Sequence, residues 1–257
     1  MARSKAFATT FALACNLIRE FATASTNVAG RCAGTGGVLS NIKAGLDQQF
    51  AEDEIRSIIE TAHRLGRRVA AHAHGAAGIN AALEAGVDSI EHGSFLDARS
   101  LKLFIAKSAF HVPTIIAGVT VSEMAQDDGL LTGAQIEKAM ILGVKRQGGP
   151  GPLAGMTIAF GSDMGVGPHG QNAREFGFMV EVGMRSREAI KVATVNATKL
   201  LDLSDEVGTI ASGKSADVIA VDSSPLDDVS VLQRAAFVMA RGDVHLGVTS
   251  FPQLRLG

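Results

Sequence analysis

Four side chains that could bind a metal ion stand at the ends of short apolar segments. His72 and His74 close one segment, His92 closes the next, and Asp163 closes a later one. The three segments read "VAAHAHG", "VDSIEHG" and "MTIAFGSDMG". Imidazole and carboxylate groups together suit a divalent transition metal such as zinc. One such histidine is more often structural, but four polar residues at successive segment ends favour a shared site.

The elements that would position these residues alternate between helix-like and strand-like patterns. Amphipathic stretches such as "AEDEIRSIIETAHRLG", "ARSLKLFIAKS" and "LTGAQIEKAMILGVKRQ" predict helices, and the apolar runs between them predict buried strands. This rhythm predicts a parallel sheet covered by helices, either a doubly wound sheet or a barrel. The carboxyl ends of parallel strands share one edge, so His72, His92 and Asp163 are expected to meet there. Period-two geometry places His72 and His74 on the same face of their strand.

Composition excludes several classes of function. The chain has 257 residues, a formal net charge of −2 and two cysteines. The charge offers no basic field for nucleic acid, and two cysteines are too few for a disulfide framework. No apolar run reaches the ~18 residues of a membrane helix. We therefore expect a cytoplasmic protein without nucleic-acid or membrane partners, with export through the signal-like residues 1–15 as the alternative.

Three stretches in order resemble the amidohydrolase superfamily: "VAAHAHGAAGINAALEAGVDSIEHGSFLD", "FGSDMGVGPHGQNAREFGFMVEVGM" and "NATKLLDLSDEVGTIASGKSADVIAVDSSPLDDVSVL". The most similar branch is that of imidazolonepropionase-like proteins, Xaa-Pro dipeptidases and Xaa-Arg carboxypeptidases. The resemblance implies an α/β fold, a partial (β/α)8 barrel of strands four to eight with its helices. It also implies that the partial barrel spans residues 31–202 and that residues 203–257 form a C-terminal β segment of a small composite domain. Residues 1–30 lie outside the resemblance, and their pattern predicts an atypical N-terminal helical segment.

The resemblance also implies a role for each candidate residue. His72 matches a metal ligand on the fifth strand and His92 one on the sixth. Asp163 matches the eighth-strand aspartate, which binds metal and takes a proton from the attacking water. His74, His169 and Asn172 are then expected to contact substrate. One divalent ion, zinc, is expected, and a second is not.

Two departures from the family pattern weaken this expectation. No histidine precedes His63, so the His-x-His pair of the first barrel strand has no counterpart. In "VAGRCAGTGGV", Arg31 stands where relatives carry a lysine, and a guanidinium cannot be carboxylated to form a bridging ligand. A truncated or frame-shifted gene explains both, and a genuinely shorter protein is the alternative. Five strands cannot close a barrel, so we expect a homo-oligomer or self-association.

Three functions follow from these observations. The first is metal-dependent hydrolysis of an amide or peptide C–N bond in a small dipeptide or acyl-amino acid, impaired by the missing first-strand pair. The second is a catalytically inactive fragment or an interaction subunit. The third is a different reaction on the same scaffold, such as decarboxylation or isomerisation, because fold does not determine chemistry. The motifs favour the first as the ancestral function, and the departures favour the second for this chain alone.

Overall fold

The computed structural model describes residues 48–124 and 155–247. The predicted N-terminal segment 1–30, Arg31 and the helix expected over 131–147 lie outside these residues. The helices are α1 (Glu52–Arg64), α2 (Ala76–Ala85), α3 (Ala98–Lys107), α4 (Ile115–Met124), α5 (Arg174–Glu181), α6 (Ser186–Lys191) and α7 (Ala197–Leu200). A π-helical turn, Val192–Asn196, joins α6 to α7, and a 3-10 helix spans Val229–Gln233. The strands are β1 (Ala70–Ala73), β2 (Ser89–His92), β3 (Phe110–Val112), β4 (Thr157–Ile158), β5 (Val218–Ala220), β6 (Phe237–Ala240) and β7 (Asp243–Leu246).

Two sheets organise the described residues. Strands β1 to β4 form a parallel sheet in sequential order, and β5 to β7 form an antiparallel one. The predicted α/β class is confirmed. The partial barrel stays a prediction, because the parallel sheet described here has four strands. In the register of the first two strands, Ala73 pairs with His92, so the carboxyl ends of β1 and β2 are level.

Local interactions account for the start of α1, which precedes β1, and for the end of α2, which follows it. The first turn of α1 is acidic, and the Glu54 carboxylate accepts the Ala51 N–H at 2.8 Å. Carboxylates are favourable at this end of a helix because they face unpaired N–H groups. Gly86 ends α2 in the left-handed region at φ 92°, which costs glycine little. These short connections hold both helices against the sheet.

A polar network between two helices sets the start of α3, with Asn80 and Ser100 buried and Asp97 exposed. Asp97 caps the helix by accepting the Ser100 N–H at 2.7 Å. Asn80, buried on α2, donates to the Asp97 carboxylate at 3.2 Å and accepts from the Ser100 hydroxyl at 2.8 Å. Because each buried polar group has a partner, the network links α2 to α3 without an unsatisfied donor.

Several apolar clusters pack around the parallel sheet in the described residues, and two of them are the largest. One lies between β1, β2 and helices α1 to α3, with Ile55, Ile79 and Ile90 fully buried. The other joins β4 to α5 and to the 3-10 helix, through Phe160, Phe176 and Leu232 among others. Within the described residues, no helix is both long and apolar enough to cross a membrane.

The segment "AFHVPTII", which the apolar pattern predicts as one strand, divides into two elements. Strand β3 stops at Val112, Thr114 adopts φ 45°, and α4 begins at Ile115. The buried Glu175 carboxylate on α5 accepts the Ile115 N–H at 2.9 Å and the Ile116 N–H at 2.7 Å. A distant carboxylate thus satisfies the first turn of α4, which residue pattern alone does not reveal.

The predicted C-terminal hairpin is present, but its turn lies one residue earlier than expected. The sequence pattern predicts a turn at Gly242–Asp243, whereas Asp243 begins β7. Arg241 and Gly242 occupy the turn with φ of 51° and 87°. Two residues with positive φ match the right-handed twist of a two-residue hairpin, which explains the shift.

An ion pair joins the start of the parallel sheet to the end of α7. The Arg68 guanidinium donates two hydrogen bonds to Asp202, from Nε at 2.6 Å and from Nη2 at 2.5 Å. Its Nη1 lies 3.6 Å from the Asp88 carboxylate, which also accepts the Val69 N–H at 2.7 Å. Bidentate geometry of this kind restrains orientation as well as distance. The contact connects residues 134 positions apart in the chain.

Candidate functional site

Three imidazoles meet at the carboxyl edge of the parallel sheet. One ligand atom from each of His72, His74 and His92 can be chosen so that all lie within 4.8 Å of one another. The ring centroids of these histidines are 4.5–4.8 Å apart, and the His74 and His92 rings are stacked. His74 is buried, and the other two are partly buried. Among the described residues, this is the group of side chains with potential metal-ligand atoms that the structure brings together.

Strand geometry accounts for the convergence. His72 and His74 are two residues apart, so they project to the same side of β1 and its extension. Ala73 pairs with His92, which puts His92 level with the residue between them. The three rings therefore form a triangle across two neighbouring strand ends.

Hydroxyl groups from further along the chain hold two of the rings. Nδ1 of His74 lies 2.8 Å from Oγ of Ser94, and Nδ1 of His92 lies 2.7 Å from Oγ1 of Thr114. A hydrogen bond at one ring nitrogen selects the tautomer and turns the other nitrogen toward a ligand. Sequence reasoning missed Ser94 and Thr114. The pattern that identified the histidines, a polar residue just after a strand, also applies to Thr114 and could have identified it.

A fourth histidine, His111, contacts the backbone that carries His92. Nε2 of His111, on β3, donates to the backbone carbonyl of His92 at 3.0 Å. A Cβ on Gly93 would lie 2.6 Å from the same Nε2, so only glycine leaves room for this ring. His111 thus fixes the backbone that carries the His92 side chain, a role that its position within a strand did not indicate.

Backbone strain is concentrated at this edge of the sheet. Six non-glycine residues in the described parts of the chain have positive φ. Ser108 and Asp202 follow helices and Arg241 occupies a hairpin turn, positions where such angles are common. The other three are His92, Thr114 and Asp163, with φ of 70°, 45° and 48°. Strained residues of this kind cost about 1–3 kcal/mol each and cluster at functional sites.

Burial keeps the imidazoles neutral. It lowers the pKa of His72 to about 4, and together with the nearby His72 it lowers the pKa of His74 to about 3. Burial and the neighbouring histidines hold the pKa of His92 well below its ordinary value. Neutral imidazole is the form that binds metal, because a protonated ring has no lone pair to donate.

The donor set fits a divalent transition metal. Nε2 of His72 is buried and has no hydrogen-bond partner among the described residues. An unsatisfied buried nitrogen costs free energy that a metal–nitrogen bond would offset. Neutral nitrogen donors suit zinc in particular. The arrangement could therefore hold one ion of this class.

Two carboxylates, those of Glu91 and Asp163, influence each other but differ in environment. Glu91 precedes His92 and accepts the Ser89 hydroxyl at 2.8 Å. Burial raises the pKa of Glu91 to about 7, and the charge of Asp163 adds to this effect. Asp163 itself is exposed, in the segment that follows β4. The carboxylate predicted to bind metal therefore lies outside the compact imidazole group but near enough to influence Glu91.

The two other predicted substrate residues differ in burial. His169 is exposed in the loop after Asp163. Asn172 is buried, and its Nδ2 donates to the Ser162 hydroxyl at 2.9 Å, while its Oδ1 accepts the Gly170 N–H at 3.3 Å. Asn172 thus braces Ser162, the residue that precedes Asp163.

Comparison with known proteins decides the family. The sequence profile of the amidohydrolase family matches residues 16–248, most of the chain. The chain belongs to the amidohydrolase family. An ochratoxinase from Aspergillus niger is 36% identical to this amidohydrolase over 202 residues, which cover 77% of the chain and 42% of that enzyme.

Solved structures agree with this assignment. A Xaa-Pro dipeptidase crystallised with methionine in its active site is 42% identical, with a TM-score of 0.78 over 83% of this amidohydrolase and 53% of that chain. A prolidase in complex with N-methylphosphonate-L-proline is 30% identical, with a TM-score of 0.73 over 82% of this chain and 53% of that one. The amidohydrolase thus spans roughly half the length of these relatives.

Proposed function

We propose that this amidohydrolase hydrolyses an amide or peptide C–N bond in a dipeptide or an acyl-amino acid, with the help of one divalent metal ion such as zinc. The observation that carries the proposal is the convergence of His72, His74 and His92 within 4.8 Å at the carboxyl edge of a parallel sheet. Active sites of parallel α/β proteins collect at this edge. The named activities of the dipeptidase, prolidase and ochratoxinase relatives support the choice of bond.

Three residues of the chain would bind the metal ion, and one of them would also transfer the proton. His72, His92 and Asp163 would hold the ion, as the family resemblance implies. When bound, a divalent ion lowers the pKa of a coordinated water and polarises the scissile carbonyl. The exposed Asp163 carboxylate would accept the water proton on an Oδ atom and pass it to the leaving amine, a general-base and then general-acid role.

Substrate would bind above the same edge. His169 lies exposed in the loop that follows Asp163, where a substrate carboxylate could reach it. Asn172 would act on substrate indirectly, by holding Ser162 and with it the segment that carries Asp163. The four parallel strands would be part of the partial barrel that the sequence motifs predict.

Titration of metal-stripped protein with zinc tests the proposal, together with amine release from Xaa-Pro, Xaa-Met and N-acyl-amino-acid substrates. We expect uptake of one zinc ion per chain, turnover of at least one substrate, and loss of both in His92→Ala. His245→Ala, which removes an exposed histidine on β7, is the matched control and should change neither. Absence of zinc uptake, or uptake unchanged in His92→Ala, would contradict the proposal.

A second candidate, an inactive chain or interaction subunit, is favoured by Arg31. A guanidinium stays protonated and cannot be carboxylated, so it cannot supply the bridging ligand that the family resemblance implies. The same experiment separates the two functions. Zinc uptake without turnover of any substrate would favour the second, and size-exclusion chromatography would then show whether the chain self-associates as expected.

A further inference from the structure

We infer that Glu175, a buried carboxylate on α5, is a positioning residue for the metal site. It holds the first turn of α4, and through that turn it holds Thr114, whose hydroxyl fixes the ring of His92. The inference rests on the proposed metal-dependent function and adds to it a residue that acts on the site through its neighbours.

The ring of His92 does not lie where strand alternation alone would put it. His92 pairs with Ala73, and paired residues of neighbouring parallel strands project to the same face of a sheet. Ala73 is buried in the apolar cluster that β1 and β2 form with helices α1 to α3. The His92 ring lies instead beside His72, on the opposite face, with ring centroids 4.5 Å apart and a backbone φ of 70°. A left-handed residue at the strand end therefore turns this imidazole toward the site, and the surrounding structure must hold it there.

Thr114 gives part of this support and is itself strained. Its Oγ1 lies 2.7 Å from Nδ1 of His92. Thr114 is buried and β-branched, yet its φ is 45°, which makes it a genuine outlier. It also directly precedes α4, where an extended threonine commonly accepts an N–H of the first helical turn. Because its hydroxyl faces His92 and its backbone is not extended, the first turn of α4 needs another acceptor.

Glu175 is that acceptor. Its Oε1 accepts the Ile115 N–H at 2.9 Å, and its Oε2 accepts the Ile116 N–H at 2.7 Å. The Ile115 N–H belongs to the planar peptide group that follows Thr114, so this hydrogen bond restrains the backbone of Thr114 directly. Glu175 is fully buried, and a buried carboxylate is costly unless hydrogen bonds compensate it. The two bonds meet this cost and hold the strained residue that contacts His92.

Glu175 also connects two strand ends of the site. Its N–H donates to the Asn172 carbonyl at 3.1 Å, and Nδ2 of Asn172 donates to the Ser162 hydroxyl at 2.9 Å. Ser162 directly precedes Asp163, the carboxylate proposed to bind the metal. Glu175 thus links the segment that carries Asp163 to the segment that orients His92.

The tautomer of His92 in metal-free protein is a readout that a merely structural role would not change. Long-range proton–nitrogen NMR spectra report which ring nitrogen carries the proton, and His92→Ala identifies the signals of this ring. We expect one tautomer in the wild type and a mixture in Glu175→Gln, because the glutamine NH2 group cannot accept the second N–H. Zinc affinity, measured by competition with a chromophoric chelator, should fall ~10-fold in this variant, at the lower end of the effect of losing a supporting group.

A double-mutant cycle tests whether Glu175 acts through Thr114. Thr114→Val removes the hydroxyl but keeps the shape, and it should weaken zinc binding ~10–100-fold. The double variant Thr114→Val/Glu175→Gln should bind zinc no more weakly than Thr114→Val, because the hydroxyl through which Glu175 acts is gone. Ile59→Val, which removes a methyl group from the core beside α1, is the control for lost stability. It should lower the unfolding temperature and change neither the His92 tautomer nor the zinc affinity.

The outcomes for the positioning role and for the function are distinct. An unchanged His92 spectrum in Glu175→Gln, or losses of zinc affinity that multiply in the double variant, would overturn the inference and leave metal-dependent hydrolysis in place. A changed His92 spectrum in a protein that hydrolyses none of the substrates, or whose wild type binds no zinc, would support the positioning role and overturn the proposed function. Should Glu175→Gln fail to fold, Glu175→Asp replaces it, since it keeps the charge but has a shorter reach. The same mixture of tautomers is then expected, and an unchanged spectrum would overturn the inference.

Discussion

Gly93, which directly follows His92, offers a direct test of how tightly the site is packed. A Cβ at this position would lie 2.6 Å from Nε2 and 3.0 Å from Cδ2 of the His111 ring. Both atoms belong to a buried ring, and Nε2 also donates to the His92 carbonyl. Gly93→Ala must therefore displace either the ring or the backbone that carries His92.

Two contributions set the expected size of the effect. Gly93 has φ 57°, and an alanine in the left-handed region costs ~1–2 kcal/mol. Inserting a methyl group into a packed interior costs a further ~1–3 kcal/mol. We therefore expect Gly93→Ala to reduce the free energy of unfolding by ~2–5 kcal/mol.

Gly86→Ala is a matched control for the conformational part. Gly86 has φ 92°, and a Cβ there would meet nothing within 4 Å. This variant should lose only the ~1–2 kcal/mol of backbone strain. The double variant Gly93→Ala/His111→Ala should recover part of the steric cost, because the ring that meets the methyl group is gone.

Urea unfolding monitored by circular dichroism measures these three variants and the single variant His111→Ala, with an unchanged slope showing that the unfolded state is unaffected. A double-mutant cycle then isolates the coupling between positions 93 and 111. Equal losses in Gly93→Ala and Gly86→Ala, with no coupling to His111, would refute the packing argument.

Two further predictions concern buried and exposed carboxylates. Burial raises the pKa of Glu175 to about 7, so the folded protein binds a proton that the unfolded chain releases near pH 4.5. Its contribution to stability is therefore present at low pH and is lost as the pH rises through about 7. In urea unfolding at several pH values, Glu175→Gln should reduce the pH dependence of the free energy of unfolding by at most ~3 kcal/mol. The same pH profile in both proteins would contradict this assignment. Asp202, whose pKa the Arg68 hydrogen bonds lower, should behave in the opposite sense, losing its contribution as the pH falls through the lowered pKa. Because Asp202 is largely exposed, Asp202→Asn should reduce the free energy of unfolding by no more than ~1 kcal/mol at pH 7. A double-mutant cycle with Arg68→Ala measures the coupling of the pair. A much larger coupling energy would contradict the prediction and show that the pair is shielded from solvent.

The sequence alone was sufficient to predict which imidazoles lie at one edge of the sheet. Polar residues at the ends of apolar runs predicted that β1 and β2 deliver imidazoles to one edge, and period-two alternation predicted that His72 and His74 share a face. The amphipathic stretch "AEDEIRSIIETAHRLG" predicted a helix, and α1, Glu52–Arg64, lies within it. These inferences succeed because they depend on neighbours within a few positions of the chain.

Only the tertiary structure decided which residues act together. Ser94 lies 20 positions from His74, Thr114 lies 22 from His92, and Glu175 lies 60 from the helix that it caps. Such contacts depend on strand register and on the packing of helices against the sheet, which local periodicity does not encode. The grouping of His74 with His72 and His92 also required coordinates, because alternation predicts a face but not a distance. The sequence therefore determined which groups are available at the edge of the sheet, and the packing of distant segments determined their partners and orientation.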